Sequence, residues 1–215
     1  MPSTEATGKR RRLRPEQRRE LILAGATELF AQRGYEGASM GEIARAGGVT
    51  AAVIYDHFPS KAELAIELLT RETEALLGFV ARALDEAPTD PAALMRAGVD
   101  AFFAYVEEHR FAWRLLFRDP PTDPKVAAAY RQLNAQATAG IAVFLRSGDP
   151  GVLASYSDPD QAAEIFAEGL KAAQNGLAAW WYEHPEVSRE EIVERLLELA
   201  WVGLERVADE RGRVR

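Results

Sequence analysis

The chain has 215 residues, 47% of them hydrophobic, a net charge of −7 and no cysteine. That length can bury a sizeable core in one or two domains. Disulfide frameworks and thiolate metal sites are excluded, and no apolar run approaches the ~20 residues that span a bilayer. The start, MPSTEATGKRRRLR, lacks the apolar segment of a secretion signal, which predicts a cytoplasmic protein with no membrane partner.

The charge is unevenly spread. Residues 1–19 carry seven basic side chains against two acidic ones, and the acidic excess lies wholly beyond residue 61. Because salt screens charge over about 10 Å, a basic end and an acidic body can act independently. Residues 1–14 have no apolar pattern and are predicted to be a disordered arm, either entering a minor groove or only adding loose attraction.

A first amphipathic helix is predicted from Pro15 to Arg33, with the proline in its first turn and Gly34 at its end. Its apolar stripe is Ile22, Ala26, Leu29 and Phe30, and Gly25 within it implies close helix packing. Next comes Ser39 to Phe58, SMGEIARAGGVTAAVIYDHF. Ser39 and Glu42 form a capping box, Ala46-Gly47-Gly48 breaks the helix, and Thr50 caps a second short helix whose Ile54 turns inward. The ordered set reads as a helix-turn-helix. Ser60 and Glu63 then open a fourth helix with another capping box, running to about Ala83.

These elements, ILAGATELFAQRGYEG followed by SMGEIARAGGVTAAVIYDHFPSKAEL, resemble the TetR family of bacterial transcriptional regulators over roughly residues 16–76. The resemblance implies an all-α fold of about nine helices. A three-helix DNA-binding head would span 15–76, with its helix-turn-helix at 39–58. A helical body for effector binding and dimerisation would span 77–215. It also implies a homodimer on a palindromic double-stranded DNA operator, most simply a repressor released by a small molecule.

The second helix of such a motif enters the major groove by its N-terminal end. Thr50 can offer a hydroxyl there, while the methyls of Ala51 and Ala52 can meet only thymine methyls. Relatives often carry Lys-Gly at these two positions, so the alanines remove a phosphate contact. Val53 serves either as a base contact or as packing. Tyr55 and Lys61 are phosphate contacts by resemblance, and Ser39 can cap a helix or bind phosphate. His57, Gly41 and Arg45 are lesser DNA candidates. An alternative reading, prompted by Ala51-Ala52 and the acidic body, is a protein–protein interaction module with a degenerate helix-turn-helix.

Beyond residue 61 everything periodic is helical. Pro88-Thr89-Asp90-Pro91 breaks the chain before a helix from about Ala92 to Glu108 that buries Leu94, Val99, Phe102, Phe103 and Val106. A short helix is expected over Phe111 to Phe117, a longer one from Pro124 to Arg146, and a loop over Ser147 to Asp160. Two last helices follow, about Pro159–Glu183 and Ser188–Asp209. Gly169, Ala173, Gly176, Leu177 and Trp181 on the first, with Leu196, Ala200 and Gly203 on the second, form seams. Such seams serve either as bundle core or as a dimer interface, and the resemblance favours the interface.

The resemblance also implies an effector site inside the body. Phe102, Phe103, Trp113, Phe117, Tyr130, Phe144 and Phe166 are its aromatic candidates, each serving either as bundle core or as pocket wall. Asn134, Gln174 and Asn175 interrupt apolar helix faces, where a buried amide needs a partner; they face either a pocket or the dimer edge. The apolar balance suggests a largely hydrophobic effector. Catalysis is not indicated. The histidines His57, His109 and His184 are scattered without paired carboxylates, and there is no metal-ligand spacing and no Gly-rich phosphate loop. No cofactor or metal is implied.

Overall fold

In the computed structural model, residues 14–110, 122–147, 153–154 and 156–199 are described, and among them there is no β-strand. The helices are α1 (Pro15–Arg33), α2 (Met40–Ala46), α3 (Ala51–His57), α4 (Lys61–Glu86), α5 (Pro91–Glu108), α6 (Pro124–Ser147) and α7 (Pro159–Glu183). The last, α8, occupies 189–199. Residues 1–13 of the expected basic arm, the short helix at Phe111 to Phe117 and residues 148–152 and 155 of the loop after Ser147 lie outside the described residues.

Local chemistry fixes where these helices begin. Ser39, Thr50, Ser60, Asp90 and Asp158 each accept a hydrogen bond from a backbone N–H three residues on, a cap worth about 1 kcal/mol. Proline in the first turn adds to the starts of α1, α5 and α7. Gly34 ends α1 at φ +72° and Gly48 makes the α2–α3 turn at φ +65°, where a side chain would be strained. Ser39 and Glu42 close a reciprocal box; at Ser60 and Ser188 the serine oxygen accepts from the Glu63 and Glu191 N–H groups. Two boundaries move slightly. Pro91 is inside α5 because Asp90 caps it, and α4 runs to Glu86, past the expected Ala83.

Among the described residues, three apolar clusters hold the helices together. The first joins α1, α2 and α3 to the first half of α4 through Ile22, Phe30, Ile43, Ile54, Phe58, Leu64 and Leu68. Val126 of α6, fully buried, completes that same cluster, with Tyr130 and Leu133 packed beside it. The second cluster gathers Leu76, Met95, Val99, Phe103, Tyr105, Trp181 and Leu196 from α4, α5, α7 and α8. A third lies between α6 and α7 around Ala142, Ala163 and Ala167. On α5 the buried position is Met95 rather than Leu94, which is half-buried.

α1 and α2 cross very closely. A Cβ on Gly25 would stand 2.8 Å from the Gly47 nitrogen, and one on Gly47 would stand 2.9 Å from the Leu21 oxygen. Both glycines are therefore required by the crossing, which sets the tilt of α2 and so of α3. Among the described residues, no helix is long and apolar enough to cross a membrane.

Candidate nucleic-acid interface and internal cavity

The outer side of α2 and α3 is built from the residues left over when Ile43, Ala44 and Ile54 turn inward. Gly41, Arg45, Thr50, Ala51, Ala52 and Tyr55 are all exposed, Tyr55 by 54%. Val53 and His57 are half-buried. Arg45, though exposed, donates from Nε to the Gly41 oxygen of its own helix at 3.4 Å. Thr50 Oγ1 accepts from the Val53 N–H at 3.4 Å, leaving its own O–H to give. This surface offers donors at its rim and methyl groups at its centre.

Two expected phosphate contacts also make bonds within the head. Ser39 Oγ donates to Glu42 Oε2 at 2.7 Å and accepts from the Glu42 N–H at 3.3 Å, so its hydroxyl is committed to the cap. The Glu42 carboxyl is held below its usual range by those serine bonds and by Arg33. Lys61 donates from Nζ to the carbonyls of Tyr35 and Ala38 at 2.9 and 3.1 Å and sits 4.2 Å from the Tyr35 ring centre. An ammonium has three donors, so Lys61 ties the α1–α2 connection to α4 and keeps one N–H to give elsewhere. Arg19, counted with the basic start, is likewise engaged. It pairs with Glu67, donates to the His57 carbonyl and lies 4.4 Å over Phe58.

Below the head, α4, α5, α6 and α7 enclose an apolar cavity of about 270 Å³. Of the residues expected there, Phe102, Tyr130, Asn134, Phe144, Gln174 and Asn175 line it. Phe103 and Phe166 do not. Phe103 is fully buried edge-on to Trp181, with ring centres 5.9 Å apart, and Phe166 packs against Tyr156. Trp113 and Phe117 lie outside the described residues. Sequence reasoning missed the aliphatic wall, Leu69, Leu76, Val80, Met95, Val99, Leu133, Ile141 and Leu170, because an aliphatic side chain facing a cavity has the same periodicity as one facing a core. The signal that did work was the amide interrupting an apolar face.

α4 and α6 belong to both sites. Each contributes to the head cluster at one end and to the cavity wall further along. At the junction the Tyr35 hydroxyl donates to Asp123 at 3.4 Å and Thr122 donates to Glu36. Asp123 also accepts from the N–H groups of Lys125 and Val126, starting α6. Burial, then the Asp123 charge, pushes the Tyr35 phenol up to about 12.

The seam expected for dimerisation divides. Trp181 and Leu196 are buried within the protomer, Trp181 donating from Nε1 to the Val187 carbonyl at 2.7 Å, and Ala173 and Leu177 are half-buried against the same cluster. They form protomer core because the side of α7 that carries them faces α5 and α8. Gly169 and Gly176 are exposed, together with Ile165, Ala172 and Trp180. Ala200 and Gly203 lie outside the described residues.

The family described as bacterial regulatory proteins, tetR family, matches residues 22–68, and a tetracyclin repressor-like C-terminal domain matches residues 91–203. The chain is 37% identical to the HTH-type transcriptional activator FasR of Mycolicibacterium smegmatis over 207 residues, 94% of this chain and 90% of that one. To the HTH-type transcriptional repressor KstR2 of the same species it is 31% identical over 105 residues, about half of each chain (49% and 50%). A TetR-like transcriptional regulator from Rhodococcus sp. RHA1 has the same fold, with TM-score 0.74 at 24% identity over 90% of this chain and 99% of that one. The head with its outward-facing α2 and α3, the helical body beneath it and these matches agree: the chain belongs to the TetR family of DNA-binding transcriptional regulators, a family without enzymatic activity.

Proposed function

We propose that this regulator acts in the cytoplasm as a homodimer on a palindromic operator, and that a small hydrophobic effector in the α4–α7 cavity changes its affinity for DNA. In this reading residues 15–76 form the head and 77–215 the effector-binding and dimerisation body. The observation that carries the reading is the double membership of α4 and α6. A ligand that spreads the cavity wall moves helices that are also part of the head core, so cavity occupancy and α3 position share one free energy. Coupling of this kind is ordinarily about 1–3 kcal/mol, a change of roughly 5–150-fold.

Tyr55, Arg45, Thr50 and the third N–H of Lys61 are the phosphate donors in this proposal, with Ala51, Ala52 and Val53 against base edges. Ser39, Gly41 and His57 lie at the rim. The exposed face of α7, where Gly169 and Gly176 leave open space around their backbone, supports the homodimer. A twofold dimer brings two heads to one palindrome.

The sign of control has two readings. Occupying a promoter gives a repressor released by the effector. The relative that matches 94% of this chain is named an activator, which favours effector-dependent recruitment instead. Fluorescence anisotropy on DNA flanking the chain's own gene, with scrambled DNA as competitor, tests the core of the proposal. Competitor-resistant binding at two protomers per palindrome, altered by an alkyl ligand, is expected. Binding equal to that of scrambled DNA at every operator-sized segment would return the interaction-module reading. The position of the operator relative to the promoter decides the sign.

A further inference from the structure

We propose that the cavity selects an apolar chain ending in a neutral hydrogen-bond donor, a hydroxyl or an amide N–H, received by the side-chain oxygen of Asn175. The inference rests on the reading of the cavity as the effector site and adds the chemistry of the effector's head. The wall of the cavity is almost wholly aliphatic and aromatic, and Asn134, Lys171, Gln174 and Asn175 gather on its α6–α7 side. That clustering gives the cavity a polar end.

Two of these polar groups already make hydrogen bonds within the protein, Lys171 with its full set of donors. Asn134 Nδ2 donates to the Tyr130 carbonyl at 3.0 Å. Lys171 Nζ donates to Thr138 Oγ1 at 2.7 Å, to the Asn134 carbonyl at 3.3 Å and to Glu168 at 2.8 Å. All three of its N–H groups are used and its charge is cancelled, so among the described residues no free cation waits there for a carboxylate. Asn175 Oδ1 is different: it is buried and, among the described residues, has no hydrogen-bond partner. A buried acceptor left unmade is costly, and a ligand donor removes that cost on binding. A carboxylate presents only acceptors and would place a desolvated charge opposite another acceptor.

The full chain is titrated calorimetrically at neutral pH with 1-decanol, decanamide, decyl methyl ether and decanoate. The ether keeps the chain and the oxygen but has no proton to donate. The expected result is that alcohol and amide bind at least about tenfold more tightly than ether and decanoate. In Asn175→Leu that gap closes while the ether binds no worse, with a thermal melt confirming that the variant is folded. Decanoate as the tightest ligand, an ether equal to the alcohol, or a gap that persists in Asn175→Leu would overturn the head-group assignment and leave the cavity reading standing. Failure of all four probes to bind would overturn the assignment together with the cavity reading on which it rests.

Discussion

A single glycine pair sets the geometry of the reading head. Gly25 lies mid-helix, where alanine would ordinarily gain about 1 kcal/mol. Its added Cβ would stand 2.8 Å from backbone of the α2–α3 turn, which yields only if α2 moves. Gly25→Ala is therefore expected to destabilise by about 1–3 kcal/mol and to weaken operator binding, because the tilt of α2 carries α3 with it. Gly41→Ala is the control, since nothing lies within 4 Å of that position. Its melting temperature should hold or rise, and a fall would mean that crowding at the Gly25–Gly47 crossing is not what decides.

Tyr55 and Lys61 separate recognition from folding at the same scale. The Tyr55 side chain is over half exposed, so Tyr55→Phe should change stability by less than about 0.5 kcal/mol while lowering operator affinity roughly 2–12-fold for one lost hydrogen bond. Lys61→Ala removes the cation that holds the Tyr35 and Ala38 carbonyls and is expected to lose about 1–3 kcal/mol of stability as well as affinity. Denaturant unfolding beside anisotropy distinguishes the two variants. Equal effects on stability would refute the division of roles.

At the scale of elements, α6 is the piece whose role the sequence conceals. Its bounds are legible, because Pro124 starts it and periodicity runs to Arg146. Periodicity shows which face is apolar but not which neighbour it meets, so nothing in the chain announces that Val126 belongs to the head core. Caps explain why the helix starts of the head were readable: Ser39, Thr50 and Ser60 act within three residues. The cavity was half legible for the same reason in reverse. Asn134, Gln174 and Asn175 are conspicuous on apolar faces, whereas Val80 and Met95 look like any core residue.

The Tyr35–Asp123 bond at the top of α6 is where this concealed link can be cut without emptying the core. Tyr35→Phe keeps the ring under Lys61 and removes only the donor to Asp123. The factor by which an effector changes operator affinity is expected to fall, while affinity without effector changes by less than that factor. The measurement is anisotropy with and without 1-decanol, and an unchanged factor would remove this bond from the coupling. The phenol's proton does not gate it under ordinary conditions. Its folded value, about 12 against 10 unfolded, is raised. The contribution is thus fully present below pH 10 and is lost as pH rises towards 12.

For the whole molecule, the question is what covers the outer face of α7. Ile165 is 63% exposed and Trp180 45%, with Gly169, Ala172 and Gly176 between them on exposed helix. Large apolar side chains flanking a smooth strip allow two backbones to approach closely, and isologous pairing satisfies both copies with one patch. Gly176→Arg tests this without disturbing the protomer, because a Cβ there meets nothing within 4 Å. In a dimer the same Cβ faces its symmetry mate, so the variant is expected to sediment as a monomer with a near-native helical spectrum. Operator affinity should then fall by well over tenfold, since the second head no longer binds at the high effective concentration that tethering gives. A variant that stays dimeric places the interface elsewhere, and one that is monomeric yet binds the full operator unchanged shows that a single head suffices.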